Sequence, residues 1–173
     1  MYFLEYSITT AFTQACANQI INLHPEKKDD FALHNAFTIF NFCYQIGVFI
    51  SRSSLPILKI NRVWIVTLLQ ATMFVLWMFN AFFLYIENIY VLFFLMIFVG
   101  LMGGASYVNV IYKIQKSEDL DRTEKELALT LLTVFDDIGI FCASLFSLIM
   151  SLTAFAKYAD DTAALMQAAS TAA

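Results

Sequence analysis

Apolar residues in this chain come in long unbroken blocks rather than in the alternations or single stripes of a protein that faces water. Four stretches, residues 6–24, 31–51, 63–86 and 89–112, contain no Asp, Glu, Lys or Arg. A fifth, residues 127–156, is interrupted only by Asp136 and Asp137. A helix needs about 20 mostly apolar residues to cross a hydrocarbon layer roughly 30 Å thick, and must satisfy its own backbone there. The pattern therefore predicts an all-α, polytopic transmembrane helical bundle of about five spans, near residues 4–24, 31–51, 63–86, 89–112 and 127–156. These spans form one unit over residues 1–156, followed by a peripheral Ala-rich tail at 157–173. Pro25 and the charged run after it separate the first two spans, whereas Glu87 and Asn88 leave an almost minimal hairpin between the third and fourth.

Composition agrees with lipid as the main partner. Of 173 residues 60% are hydrophobic, 16% aromatic and only 14% charged, against roughly 25% charged in soluble domains. The net charge of −4 supplies no concentrated basic face, which excludes nucleic acid as a partner. Cys16, Cys43 and Cys142 lie apart in apolar sequence and read as small buried residues, with neither a disulfide framework nor a metal site. No P-loop, G-x-S-x-G, HExxH or GxGxxG occurs, so no enzyme, cofactor or metal is expected. Charge does set an orientation. Residues 52–62 carry Arg52, Lys59 and Arg62 with no acid, and alternation of spans puts Lys113, Lys116, Arg122 and Lys125 on the same side, which the positive-inside rule makes cytoplasmic. Met1 then begins on that side, and the loop around Pro25 and the tail lie on the other. Glu5 stands where a secretory leader would be basic, so insertion is expected to rely on the spans themselves.

Polar positions inside the spans are the candidates for chemistry. Thr10, Gln14, Asn18 and Asn22 step by four along the first span and share one stripe, with Thr13 beside it. Such a stripe lines either a water-filled cavity or a hydrogen-bonded contact between helices. Asn41 and Gln45 repeat the step on the second span and are expected to face the first. His34, near the end of that span, is either a group that changes charge between about pH 5 and 8 or an interfacial residue. Asp136 and Asp137 are costly in hydrocarbon. One of them is functional, or both stand at a helix N-terminus and complement its dipole. Gly100, Gly103, Gly104, Ala105 and Ser106 form a small-residue patch with Gly-x-x-x-Gly spacing that permits close helix approach. Tyr107 and Asn109 follow it.

Several motifs resemble those of the battenin family. Residues 44–55, YQIGVFISRSSL, with Trp64 and Leu68-Leu69-Gln70, resemble that family's SRSSL segment. Residues 100–109, GLMGGASYVN, are similar to its GLLGGAAYVN stretch. Asp137 with Gly139 and Ile140 resembles its SDTLGI segment, and residues 5–14 resemble EYFINQGLFE. The likeness runs over about residues 2–152 and places Glu5, Arg52, Ser53, Ser54, Tyr107, Asn109 and Asp137 in matching motifs. Asp136 stands where the family has Ser, so Asp137 is the shared carboxylate.

The resemblance implies the C-terminal half of a major-facilitator-like fold in a lysosomal or vacuolar membrane, supporting export of glycerophosphodiesters and lysosomal pH homeostasis. On that reading Glu5, Gln14, Asn18, Gln45, Tyr107 and Asn109 line a substrate path and Asp137 couples protons. Arg52, Ser53 and Ser54 form a cytoplasmic loop motif. Because a facilitator encloses its path between two halves, the expected partner is a missing N-terminal half or a second copy. The rival reading is a non-transporting membrane scaffold that regulates endolysosomal trafficking or acidification through its charged loops.

Overall fold

The computed structural model describes residues 1–24, 30–54, 59–60, 62–158, 160–161 and 163–164, and among them contains helices and no strand. The charged loop after Pro25, Leu55 of the SRSSL motif, and Leu165 and Met166 of the tail lie outside the described residues.

The first rod is α1 (Tyr2–Ser7), a π-helical turn at Ile8–Phe12, and α2 (Thr13–Leu23). Many of its hydroxyls bond back to the rod's own carbonyls: Ser7 to Phe3 at 2.7 Å, Thr10 to Tyr6 at 2.7 Å and Thr13 to Thr9 at 2.8 Å. Polar side chains in a helix are commonly satisfied this way and need no partner helix. The second rod is α3 (Phe31–His34), capped by the Asp30 carboxylate accepting from the Ala32 amide at 3.0 Å, followed by α4 (Ala36–Ser53). The remaining rods are α5 (Val63–Phe83), α6 (Ile89–Lys116) and α7 (Arg122–Leu152).

Two boundaries differ from the sequence expectation for physical reasons. α5 stops at Phe83 because Leu84 takes a left-handed conformation (φ 48°), and the Asn80 amide oxygen accepts the Ile86 N–H at 2.7 Å. The turn is thus longer than the Glu87–Asn88 hairpin, and Asn88 caps α6 by accepting from Tyr90. α7 begins at Arg122 behind a capping box of Asp121 and Glu124, a local signal that outranks the later apolar run. Asp136 and Asp137 therefore sit mid-helix, and the reading that placed them at a helix N-terminus does not hold.

α5, α6 and α7 are long and apolar enough to cross a membrane. The outward surface fits that solvent. Phe94, Phe98, Phe135, Phe141, Leu148 and Leu152 are all exposed, and Ala143 alone is buried along α7. Cys142 is exposed and Cys43 half-buried, so only Cys16 is the buried cysteine the sequence suggested.

Register fixes the directions of the rods. Phe12 meets Phe74 and Gln19 donates to the Ala81 carbonyl, so the first rod runs parallel to α5. Gly139 lies against Phe3, and Asn22 donates to the Tyr158 carbonyl, so α7 runs the same way. α4 and α6 form a second parallel pair. A Cβ added at Gly100 would overlap the Tyr44 carbonyl oxygen, one at Gly47 the Ile97 carbonyl oxygen, and one at Gly104 the Ser51 hydroxyl. Gly47 and Ser51 on one helix, with Gly100 and Gly104 on the other, bring the two backbones into contact, the arrangement by which helices associate tightly in lipid. Aromatic rings fill the space between the two sets, with Phe40 edge-on to Trp77 at 5.8 Å and to Phe93 at 4.8 Å. Arg52, Lys59 and Arg62, and the segment at 113–125, consequently share one end with Met1. His24 and Glu87, 3.9 Å apart, share the other with Tyr158.

Candidate functional site

Two polar assemblies stand out. The first is buried near the end that holds Met1. α1 carries Glu5 into the bundle at 1% exposure, where the Tyr44 hydroxyl of α4 donates to Oε1 at 2.7 Å. Oε2 has no hydrogen-bond partner. α6 makes room for this carboxylate at Gly103, where any Cβ would overlap it. An incompletely paired carboxyl at such burial is expensive, and the π-turn that follows it is a feature often associated with functional positions. Around it, the Arg52 guanidinium lies 4.7 Å from the centre of the Tyr107 ring, and Tyr107 meets Tyr2 edge-on at 6.4 Å. Arg52 and the half-buried Asp136 both act electrostatically on Glu5 and Tyr2.

The second assembly is a groove of about 210 Å³ between the first rod and α7, lined by Thr10, Gln14, Asn18, Ser147, Ser151 and Phe155. Gln14 donates to Asn18 at 3.0 Å across one helical turn, leaving both amides on the groove wall. On α7 the residues Thr130, Thr133, Asp137, Ser144, Ser147 and Ser151 recur at steps of three, four and seven. Such steps keep them on one side of a helix, and Asp137 on that side is exposed.

The polar stripe of the first rod thus divides. Thr10, Gln14 and Asn18 face the groove, whereas Asn22 donates to the Tyr158 carbonyl; Gln19, beside the stripe and not in it, donates to the Ala81 carbonyl.

The family model described as CLN3 protein matches residues 1–155. The chain belongs to the CLN3 (battenin) family. Battenin of Dictyostelium discoideum is 37% identical over 162 residues, covering 94% of this chain and 37% of that protein. Protein btn-1 of Neurospora crassa is 32% identical over 153 residues, 88% of this chain and 31% of its own length. Battenin of Canis lupus familiaris is 28% identical over 148 residues, 86% of this chain and 32% of that protein. The chain spans about a third of the length of these relatives. No solved structure matches it. Battenin-family membership, with three apolar helices of membrane length, makes this a multi-pass membrane protein of the lysosomal or vacuolar type. The family is one of membrane proteins and not a known class of enzyme.

Among the motif residues, the structure brings Glu5, Arg52 and Tyr107 together; Gln14 and Asn18 line the groove, and Asp137 is exposed on α7 outside that lining. Gln45 is exposed on α4, away from the Gln14–Asn18 groove, and Asn41 bonds to its own helix at Phe37. It is Tyr44, one position earlier, that turns to the first rod. Asn109 is buried at 3% and engaged at both ends of its amide, donating to Ala105 at 2.8 Å and accepting from the Ile60 amide at 2.7 Å. Its role here is to hold the loop after α4 against α6. Arg52 and Ser53 belong to the last turn of α4 and not to a loop, because the helix runs on to Ser53; Ser53 is exposed, and Ser54, the C-cap, donates to the Ser51 carbonyl. Sequence reading singled out neither Ser147 nor Ser151, and took Gly103 only for a packing glycine and Tyr44 only for the first residue of a motif. The serines carried a legible signal, the spacing from Asp137, whereas nothing local marks Tyr44 or Gly103 as partners of Glu5. Gln70, in the motif after SRSSL, is buried on α5 with neither end of its amide bonded.

Proposed function

We propose that this chain forms one half of a battenin-type solute transporter working by alternating access, with all five rods crossing a lysosomal or vacuolar membrane. The observation that carries the reading is the groove of Thr10, Gln14, Asn18, Ser147 and Ser151, on a molecule whose other outward faces are largely apolar, with Asp137 exposed on the same side of α7 as the two serines. Amides, hydroxyls and a carboxyl facing lipid would each be costly, so this face is covered by protein or wetted by water in the membrane. A facilitator-type path lies between two such walls. The opposing wall is the N-terminal half of a protein as long as the relatives, or a second copy. Gln14 and Asn18 offer donors and acceptors to a small polar solute, glycerophosphodiesters being the class implied by the family likeness, and Asp137 exchanges protons with the path. The parallel set of α4 and α6, locked by its glycines, serves as the rigid back of the half. The segments at 52–62 and 113–125 are cytoplasmic, which leaves seven of the ten Lys and Arg residues on that side.

Flux of glycerophosphodiesters in vesicles holding the full-length protein tests this. Gln14→Ala with Asn18→Ala should lower flux at unchanged protein level, and Asp137→Asn should remove its dependence on a proton gradient. Unaltered flux in both would contradict the reading.

A further inference from the structure

The basic end of the bundle holds a feature the transport path does not use. Tyr112, in the last turns of α6, is flanked by two ammonium groups: Lys59 Nζ at 5.4 Å and Lys116 Nζ at 5.7 Å from its ring centre. They arrive from different elements. Lys116 lies one turn further along α6. Lys59 is brought there by the loop after α4, which the Asn109 side chain pins through the Ile60 amide. Fixing two cations on one ring costs mutual repulsion that a solvated loop would avoid.

Among the described residues neither lysine has an acidic partner within ion-pair distance. The ion pairs found there are His24–Glu87 and Arg122–Glu126. Glu118 and Asp119 follow α6 and are exposed. Arg62, two residues past Ile60, is exposed as well. This end is where α6 leaves its apolar run and α5 begins, with Trp64 62% exposed beside it. An amphipathic ring, an exposed indole and convergent cations at the edge of hydrocarbon fit the level of lipid headgroups.

We propose that Lys59 and Lys116, gathered on Tyr112 and held by the Asn109 latch, form a binding site for the phosphate of an anionic lipid headgroup. Phosphate supplies the several acceptor oxygens that two ammoniums require, and a lipid presents it at the depth of this ring. The lipid would then tie the loop after α4 to α6.

The test uses the whole chain in phosphatidylcholine nanodiscs, with and without about 20% phosphatidylserine or a phosphatidylinositol phosphate. Lipid retention is read by native mass spectrometry and thermal stability by unfolding. Retention of anionic lipid should exceed that of phosphatidylcholine, fall about tenfold in Lys59→Gln/Lys116→Gln, recover in Lys59→Arg/Lys116→Arg, and fall in Asn109→Ala, which keeps both charges but frees the loop. Equal retention of both lipids by the native chain would overturn the proposal, as would full retention in the double Gln variant. Displacement of the lipid by millimolar inorganic phosphate would also overturn it, marking a site for free anions. Capture of an acidic peptide with no lipid preference would mark a protein interface instead.

Discussion

The contact between α4 and α6 and the groove between the first rod and α7 are built from similar residues, small or polar side chains at four-residue steps, yet they end differently. At the first, Gly47 and Ser51 face Gly100 and Gly104, so backbone meets backbone and no space remains. At the second, Thr10, Gln14 and Asn18 diverge from Ser147 and Ser151 across about 210 Å³. A polar or small stripe closes only when its partner helix offers small residues at the matching register. Where the partner offers hydroxyls at the edge of its contact face, the stripe stays open to whatever lies outside.

The sharpest way to break this contrast is to place the same side chain in both. Gly100→Leu must displace the Tyr44 backbone and should cost about 3 kcal/mol or prevent folding, the upper range for overpacking. Ser147→Leu in the groove should change stability by no more than about 0.5 kcal/mol. Thermal unfolding in detergent compares them. Next in size is the buried carboxylate. Glu5→Ala leaves the Tyr44 hydroxyl without its acceptor and should cost about 1–3 kcal/mol. Gly103→Ala should destabilise the native chain yet do much less in the Glu5→Ala background, because the overlap it creates is with that carboxylate. A double-mutant cycle reading no coupling between the two would refute the cradle. Smaller again is Asn109→Ala, expected to cost about 1 kcal/mol by losing the Ile60 bond. Protease cleavage after Lys59 should become faster while α6 keeps its exchange protection. Smallest is the pair Gln14→Ala and Asn18→Ala, near zero in stability, which separates a face kept for solute from a face kept for packing.

Much of the architecture was legible because hydrocarbon imposes a simple rule on sequence. Long charge-free blocks gave the rods, and the acid-free run of Arg52, Lys59 and Arg62 indicated which ends lie together. The Gly100-x-x-x-Gly104 spacing announced close packing, although its partners Gly47 and Ser51 are visible only once register is known. The start of α7 was missed because apolarity was weighed above the capping box of Asp121 and Glu124. Gln45 was assigned to the wrong neighbour because a four-residue step states that two residues share a face but not which helix that face meets. The Glu5 assembly was illegible for the same reason, since Tyr44 and Gly103 reach it from distant parts of the chain.

Aqueous access to the groove can be read residue by residue. In the membrane-embedded full-length protein, with Cys16, Cys43 and Cys142 replaced by Ala, single cysteines at Asn18, Ser147 and Phe94 are exposed to a membrane-impermeant thiol reagent. The account predicts labelling at Asn18 and Ser147 that transported solute slows, and none at Phe94, whose ring faces lipid. Labelling absent from Asn18 and Ser147 would show the groove to be sealed and would contradict it.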